Sequence, residues 1–259
     1  MKDSPVIIIP EGAHSELGPS SSERWMNCPG SVLESRGLKG QSEYAAEGTA
    51  AHELSKWVRE TGKPALDWKG TTLVVGDFRF KVGKPMIDSV QYFVDDCAKI
   101  PGCASFEDRV HYEELVEGGF GTMDDDRTRD WLCTITDLKH GTGVKVFAKD
   151  NSQLKLYALG KYFSYRWIWE FDKFVLRICQ PRLRHFEQFE VSLGHLLQWG
   201  YDVVRPAAKL ALTPGAPKAA GAWCKFCKLR DSCSVRTEYK RIMKARERQA
   251  EEEFDDFSN

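Results

Sequence analysis

Residues 118–139 have the sequence GGFGTMDDDRTRDWLCTITDLK. Two β-rich runs in this stretch predict strands over 118–124 and 131–139. The first run ends on Asp124, and the second carries Asp137 near its end. Because strands that follow each other along a chain are usually neighbours in a sheet, we expect these two carboxylates to lie close together.

The second run ends in the tripeptide Asp137-Leu138-Lys139. The two-residue period of a strand places Asp137 and Lys139 on one face and turns Leu138 towards the core. Carboxylates from adjacent strands can hold a hard divalent cation such as Mg²⁺ or Mn²⁺, and a lysine beside them can position or activate a water. This arrangement suits phosphodiester hydrolysis, although a single D-x-K is more often a surface ion pair.

The chain on either side alternates between helical and β-rich patterns. Predicted helices cover 42–60, 85–100, 151–169 and 192–212. Predicted strands cover 71–75 and 78–82, which form a hairpin around Gly76-Asp77, and then 106–112, 174–179 and 186–191. This order predicts a mixed α/β or α+β domain.

Two helical pairs flank the candidate site, each with a spacing of one helical turn. Gly48 and His52 share a face of the first long helix, where Gly48 would permit close packing and His52 could reach a metal. Gln153 and Tyr157 share a face of the third, where an amide and a phenol could bind a phosphate or a neighbouring base. Each residue alone would be ordinary surface or core.

The chain has eight cysteines, of which Cys224, Cys227 and Cys233 lie close together. A fourth ligand has to come from elsewhere, and Cys28, followed by Pro29-Gly30, is the best candidate, with Cys103 as its rival. Four thiolates suit zinc or an iron–sulfur cluster, and one remote cysteine with three close ones fits a cluster better. The remaining cysteines, at positions 97, 133 and 179, are expected to be buried apolar residues.

The amino-acid composition excludes some classes of protein. Lys and Arg number 37 against 38 Asp and Glu in 259 residues, and this balance excludes binding by bulk charge alone, as in a histone. No stretch approaches the roughly 20 apolar residues that cross a bilayer, and the run 6–9 is too short for a secretory signal. We therefore expect a cytoplasmic location without membrane attachment, where cysteines do not form disulfides.

The chain carries four motifs in order: Gly48-x-x-x-His52, Gly121-Thr122-Met123-Asp124, Asp137-Leu138-Lys139 and Gln153-x-x-x-Tyr157. This ordered set resembles the RecB-like branch of the PD-(D/E)XK nuclease superfamily. The cysteine pattern is similar to members with an iron–sulfur staple, such as the helicase–nuclease subunit AddB and the CRISPR adaptation exonucleases. The segments 14–20 and 23–31 look like a closer group from phages and prophages. The resemblance spans His14 to Cys233, and two departures are Met123 at the place of the named proline and Asp137 at the place of the common glutamate.

The resemblance implies a fold and a division of the chain. The fold would be a mixed α/β nuclease core with a central mixed sheet flanked by helices, whose terminal segments are joined by an iron–sulfur cluster. The whole chain, 1–259, would form one nuclease domain. Its parts would be a staple at 14–35 and 213–235, a core at 42–212 and a charged C-terminal helix or tail at 236–259.

The resemblance also implies residue roles. Asp124, Asp137, the Leu138 carbonyl and His52 would bind Mg²⁺ or Mn²⁺, and Lys139 would orient the attacking water. Gln153 and Tyr157 would position the DNA. A four-iron four-sulfur cluster would be held by Cys28, Cys224, Cys227 and Cys233. Asp125 or Asp126 could replace Asp124 as the ligand, and Glu47 could add a carboxylate.

The expected activity is a metal-dependent DNA exonuclease acting at DNA ends in phage recombination or replication, located in the host cytoplasm. Basic and aromatic residues that could line the DNA path are Arg24, Trp25, Lys145, Lys149, Lys155 and Lys161. No Walker A motif occurs, so a helicase would be a separate chain, as would a single-strand annealing partner. Two alternatives stay open: a binding or assembly protein on a nuclease fold, and a zinc-stapled nucleic-acid-binding module.

Overall fold

The computed structural model describes residues 5–10, 12, 14–38, 40 and 42–257, with side chains described as far as residue 251. Its strands are β1 Val6–Ile9, β2 Thr72–Val75, β3 Phe78–Lys81, β4 Cys103–His111, β5 Phe120–Arg129, β6 Leu132–Leu138, β7 Lys173–Gln180 and β8 His185–Ser192. Its α-helices are α1 Ser22–Asn27, α2 Ser31–Glu34, α3 Glu43–Thr61, α4 Lys84–Ala98, α5 Ser152–Tyr165, α6 Leu193–Trp199, α7 Arg205–Ala211 and α8 Ser234–Phe257.

The smaller sheet has the strand order β1-β2-β3. The predicted hairpin is confirmed, because β2 and β3 pair antiparallel and Gly76 at the turn has a positive φ of 56°. Strand β1 is formed by the short apolar run at 6–9, for which no strand was predicted, and it pairs in parallel with β2. Helices α3 and α4 cover this sheet, with Leu54 and Val90 packed in the same apolar cluster as Leu73.

The larger sheet has five strands in the order β4-β5-β6-β7-β8. All neighbours pair antiparallel except β6 and β7, which are parallel and are joined through α5. A parallel pair needs such a crossover, because a tight turn cannot return the chain to the starting edge of the sheet. Both sheets are therefore mixed and flanked by helices, and the expected mixed α/β class is confirmed.

Helices cover both faces of the larger sheet. Successive residues of a strand point to opposite faces, and on β5 Asp125 pairs with Arg59 of α3 whereas Asp126 pairs with Lys161 of α5. Helix α3 therefore lies on one face and α5 on the other. Because α3 also packs on the smaller sheet, this helix connects the two sheets.

Helix α3 agrees closely with the sequence prediction. The Ser42 hydroxyl accepts a hydrogen bond from the Ala45 N–H at 3.2 Å, and Gly62 ends the helix in the left-handed region with φ 66°. The predicted helix over 192–212 is instead divided into α6, a π-helical turn at Gly200–Val204, and α7. Pro206 has no N–H for a regular helical bond, which accounts for the local change in winding.

Helix α8 follows the last cysteine, and its side chains are mostly exposed as far as residue 251. The charged C-terminal segment is therefore helical, in agreement with the expected helix or tail. Across the described part of the chain, none of the helices combines the length and the apolar character that crossing a bilayer requires.

Candidate metal centre

The candidate site lies where the strands of the larger sheet separate. Pairing of β5 with β6 stops at Asp125 and Thr136, after which β5 continues beside β4 and β6 continues beside β7. Asp124 and Asp137 occupy the two sides of this fork and are almost fully buried. The Leu138 N–H donates to Asp124 Oδ2 at 2.6 Å, so the Asp124 carboxylate replaces the missing strand partner.

Three possible ligands converge on one side of the fork. His52 from α3, Glu107 from β4 and Asp124 from β5 each offer one ligand atom, and these atoms all lie within 4.8 Å of one another. His52 Nδ1 is 3.0 Å from Asp124 Oδ1. Ligands of a Mg²⁺ ion bound at about 2.1 Å lie about 3–4 Å apart, so a small adjustment would let these atoms share a cation.

Glu107 belongs to none of the sequence motifs. It stands opposite Asp124, because Phe106 pairs with Asp125 and Asp108 pairs with Met123 on either side of them. Glu107 has a positive φ of 51°, which costs on the order of 1–3 kcal/mol for a residue with a side chain. This backbone distortion interrupts the pairing of β4 with β5 beside Asp124. The local sequence does not indicate it.

The charges of the centre are strongly coupled. Burial opposes a charge on His52, but the charge and the hydrogen bond of Asp124 outweigh it and raise the pKa of His52 to about 9. Burial likewise opposes ionisation of Asp124, yet His52 and the Leu138 N–H hold its pKa below the ordinary value. Burial, followed by the charge of Asp124, raises the pKa of Glu107 to about 7. The centre therefore carries protons near neutral pH that a cation would displace.

A second network joins Asp137 to α5. Lys139 Nζ lies 2.7 Å from Asp137 Oδ2, as the strand period predicted, and it donates to Gln153 Oε1 at 2.8 Å. The Gln153 amide nitrogen donates to Asp137 Oδ1 at 2.9 Å and to the Tyr157 hydroxyl at 3.1 Å. Burial raises the pKa of Asp137 above its ordinary value although Lys139 lies beside it. Gln153 thus holds the carboxylate, the ammonium and the phenol in fixed relative positions.

The two motif glycines differ in their surroundings. A Cβ at Gly121 would lie 2.5 Å from Pro19 Cγ and 2.8 Å from Tyr157 Cε1, so this glycine permits a close approach. A Cβ at Gly48 would meet nothing within 4 Å. The expectation that Gly48 permits close packing was therefore wrong, because the position borders open space beside His52.

The structure turns the neighbouring acidic residues away from the centre. Asp125 forms ion pairs with Arg59 and Arg127, and Asp126 forms one with Lys161 on the opposite face of the sheet. Neither carboxylate replaces Asp124 at the fork. Glu47 also lies outside the group of three possible ligands and contacts Arg182 instead.

Three of the residues predicted to contact DNA lie in the interior, and for them that interpretation was wrong. Trp25 has no exposed surface and donates its indole N–H to the Gly18 carbonyl at 3.2 Å. Lys161 is 4% exposed and 2.9 Å from Asp126, and Lys155 is 5% exposed and 3.1 Å from Asp150. Their polar groups are used in internal bonds, so they cannot reach a ligand.

The other three candidate DNA contacts remain predictions. Lys145 and Lys149 are exposed on the loop that follows Lys139. Arg24 is half-buried and donates to the Ser31 hydroxyl at 2.9 Å.

The cysteine segments from the two ends of the chain meet. The Ala219 N–H donates to Cys28 Sγ at 3.3 Å, and the Gly30 N–H donates to the Pro217 carbonyl at 2.9 Å. Cys28 is buried, whereas Cys224, Cys227 and Cys233 are half-buried. The rival, Cys103, is exposed at the start of β4, where it faces Thr128 of β5. Cys97, Cys133 and Cys179 are buried, as predicted.

The cysteine geometry bears on the choice of metal. Among the residues that the structure describes, His52, Glu107 and Asp124 are the one group of three or more possible ligands within 4.8 Å. Four thiolates on one zinc ion would lie about 3.8 Å apart, because each Zn–S bond is about 2.3 Å. Among the described residues, no three of the cysteine sulfurs all lie within 4.8 Å of one another, which is wider than that spacing.

The chain matches the family described as proteins of unknown function, DUF2800, over residues 14–258. It belongs to the DUF2800 family. The solved structure of SSO0001 is similar over 88% of this chain and 89% of its own length, with 14% sequence identity and a TM-score of 0.42. A likeness at this level carries no argument about function.

The donor set at the fork of this DUF2800 member fits a hard divalent cation. It combines one imidazole with the carboxylates of Glu107, Asp124 and Asp137, and oxygen-rich sets of this kind suit Mg²⁺ and Mn²⁺. Asp137 Oδ2 is buried and has no hydrogen-bond partner of good geometry, because its contact with Lys139 is an ion pair alone. A buried oxygen in this condition can be satisfied by a cation.

Proposed function

We propose that the protein is a metal-dependent DNA exonuclease with a RecB-like, PD-(D/E)XK type of core. The observation that carries this proposal is the convergence of Asp124, Asp137 and Lys139 at the fork between β5 and β6, with His52 and Glu107 beside them. The reaction would be hydrolysis of phosphodiester bonds from DNA ends, in phage recombination or replication.

Each residue has a role that its contacts support. His52, Asp124 and Asp137 would hold the cation together with the Leu138 carbonyl, and we add Glu107 to this set. The bound Mg²⁺ or Mn²⁺ supplies Lewis acidity to the phosphate and to the attacking water. Lys139 orients that water and stabilises the charge that develops on the phosphate.

In the reaction, the water oxygen forms a bond to phosphorus as the bond from phosphorus to the 3′ oxygen breaks. The water releases a proton to solvent, the leaving 3′ oxygen takes one up, and the product keeps a 5′-phosphate, as the resemblance implies. Gln153 contributes by holding the side chains of Lys139 and Asp137 in fixed relative positions. Tyr157 is held by the same amide, and we expect it to position the DNA.

The cysteines would hold a four-iron four-sulfur cluster with a structural role. The bond from the Ala219 N–H to Cys28 Sγ supports this, because backbone N–H groups stabilise a thiolate ligand. Joining Cys28 to Cys224 closes a loop of 195 intervening residues, so cluster binding should stabilise the fold. The partners would be DNA ends, with a helicase or an annealing protein on another chain.

The test is an end-labelled nuclease assay with Mg²⁺ or Mn²⁺ on linear and circular DNA, single- and double-stranded. The wild type is compared with Asp137→Ala and with Asp88→Ala, an exposed aspartate of α4 that serves as the control. We expect loss of linear DNA alone, abolished by Asp137→Ala and unchanged by Asp88→Ala.

The other outcomes separate the alternatives. Cleavage of circles would identify an endonuclease. DNA binding without metal-dependent cleavage would favour a binding or assembly protein on a nuclease fold. Metal analysis that finds zinc near one per chain and no iron would replace the cluster by a zinc staple.

A further inference from the structure

The turn after β7 places an arginine against the two segments of chain that carry His52 and Lys139. Pro181 begins a short 3-10 turn, Pro181–Leu183, that leads into β8. The Nη1 atom of Arg182 donates to Glu47 Oε1 at 3.0 Å, and it lies 3.1 Å from His140 Nε2. Glu47 is on α3, one residue before the motif glycine Gly48, and His140 directly follows Lys139. Arg182 is therefore held by the same two elements that carry His52 and Lys139.

The contact between Arg182 and His140 fixes the state of the histidine. A guanidinium can only donate, so the His140 Nε2 atom accepts in this contact and the ring hydrogen lies on Nδ1; Glu47 Oε1 is 3.4 Å from the same Nε2 atom. That hydrogen is donated to the Ser89 hydroxyl of α4, 3.1 Å away. His140 is 2% exposed, so a buried and oriented imidazole determines where the guanidinium stands.

Arg182 still has hydrogen-bond donors that could bind a ligand. Both of its contacts use Nη1, and its side chain is 25% exposed. Within the described part of the chain, neither the Nε nor the Nη2 atom of Arg182 donates a hydrogen bond. This free edge of the guanidinium has the fork geometry that binds two oxygens of a phosphate. Gly48 follows Glu47 on α3 and precedes His52 by one helical turn, and a Cβ there would meet nothing within 4 Å, so the helix surface between Glu47 and His52 is open.

The neighbouring glutamine supports the surrounding loop. The Gln180 side-chain amide donates to the carbonyls of Gly141 and Val144 at 2.9 and 2.8 Å, and it accepts from the Val146 N–H at 3.2 Å. It thereby fixes the loop that carries the exposed Lys145. Residues 180–182 thus hold both the Arg182 guanidinium and the lysine-bearing loop in fixed positions.

We infer that Arg182 anchors a phosphate of the DNA strand next to the one that is cleaved, with Glu47 and His140 as the residues that position it. This inference rests on the proposed function and adds a binding subsite to it. The guanidinium would bind two non-bridging oxygens through its free edge. Glu47 would prevent the long side chain from moving towards the catalytic carboxylates.

The experiment compares Arg182→Gln, Arg182→Lys, Glu47→Gln and a control, Arg36→Gln, which removes an arginine paired with a glutamate outside the site. Cleavage of a fluorescein-labelled oligonucleotide gives kcat and KM, and anisotropy gives its affinity for each protein. We expect Arg182→Gln to raise KM and Kd about tenfold or more, because charge-assisted bidentate bonds are lost. We expect Arg182→Lys to recover part of the loss, kcat to change little, and the salt slope of binding to fall by about one.

Glu47→Gln distinguishes an anchor from a stabilising ion pair. A glutamine can still accept from Arg182, so an anchored phosphate predicts a small change in Kd for this variant. Equal effects of Glu47→Gln and Arg182→Gln on binding and on stability would overturn the inference, as would an unchanged Kd for Arg182→Gln.

The two proposals can fail separately. A wild type that cleaves DNA with an unaffected Arg182→Gln variant refutes the anchor alone. A wild type that neither binds nor cleaves the oligonucleotide refutes both. A wild type that binds without cleaving still tests the anchor through the Kd values.

Discussion

The two motif glycines should respond in opposite directions to the same substitution. In Gly121→Ala the new methyl group would lie 2.5 Å from Pro19 Cγ and 2.8 Å from Tyr157 Cε1, well inside the roughly 3.5–4.0 Å at which carbon atoms normally meet. Excess volume in a packed interior costs about 1–3 kcal/mol. We therefore expect Gly121→Ala to lower the free energy of unfolding by that amount and to displace the Tyr157 ring.

In Gly48→Ala the methyl group meets nothing within 4 Å. Gly48 lies inside α3, where alanine is favoured over glycine by about 0.5–1 kcal/mol. We expect this variant to be more stable than the wild type by that margin. If DNA passes through the space beside His52, the same methyl group should nevertheless reduce nuclease activity.

Urea unfolding followed by circular dichroism measures both changes, and midpoints are comparable if the slopes agree. Activity is measured on the same protein samples. A destabilised Gly48→Ala, or a Gly121→Ala as stable as the wild type, would refute the steric reasoning for that position. Equal changes in both variants would show that only the general preference for alanine had been measured.

Three further predictions follow from the charges and the cysteines. Metal binding must displace the proton that Asp124 retains on His52, so Mn²⁺ affinity measured by calorimetry should rise with pH until it passes about 9, and Glu107→Gln should weaken that affinity at every pH. Lys161→Met leaves the buried Asp126 unpaired and should cost about 3–5 kcal/mol in urea unfolding, most of it recovered by adding Asp126→Asn. Cys224→Ser should remove the brown absorbance and the iron of the proposed four-iron four-sulfur cluster and should lower stability, whereas Cys103→Ser should leave cluster content and stability unchanged.

Local patterns predicted most of the larger elements correctly. The hairpin at 72–81 follows from two β-rich runs around a glycine turn, and α3 follows from a serine cap and a glycine stop. The pairing of Asp137 with Lys139 follows from the strand period alone. These features depend on residues close together in the chain.

Features that depend on distant residues were missed. Strand β1 is only four residues long and gains its partner from a strand more than sixty residues later. Glu107 reaches the site through a left-handed backbone that the sequence 106–108 does not indicate. Lys161 was interpreted as surface because its charge is evident, while its buried partner Asp126 comes from another element. Burial of a charge is decided by the fold, so composition cannot reveal it.

Helix α3 packs against both sheets, so binding of the proposed cation should change the local stability of the hairpin in the smaller sheet. Leu54 and Val58 of α3 pack with Leu73 of β2, while His52 points to the fork of the larger sheet. A ligand that requires α3 in place suppresses every local opening that displaces it, by about 2.7 kcal/mol at a hundred times its Kd. Hydrogen exchange at the amides of β2 and β3 should therefore slow about a hundredfold when Mn²⁺ is added at a hundred times its Kd, although none of the proposed ligands lies in that hairpin.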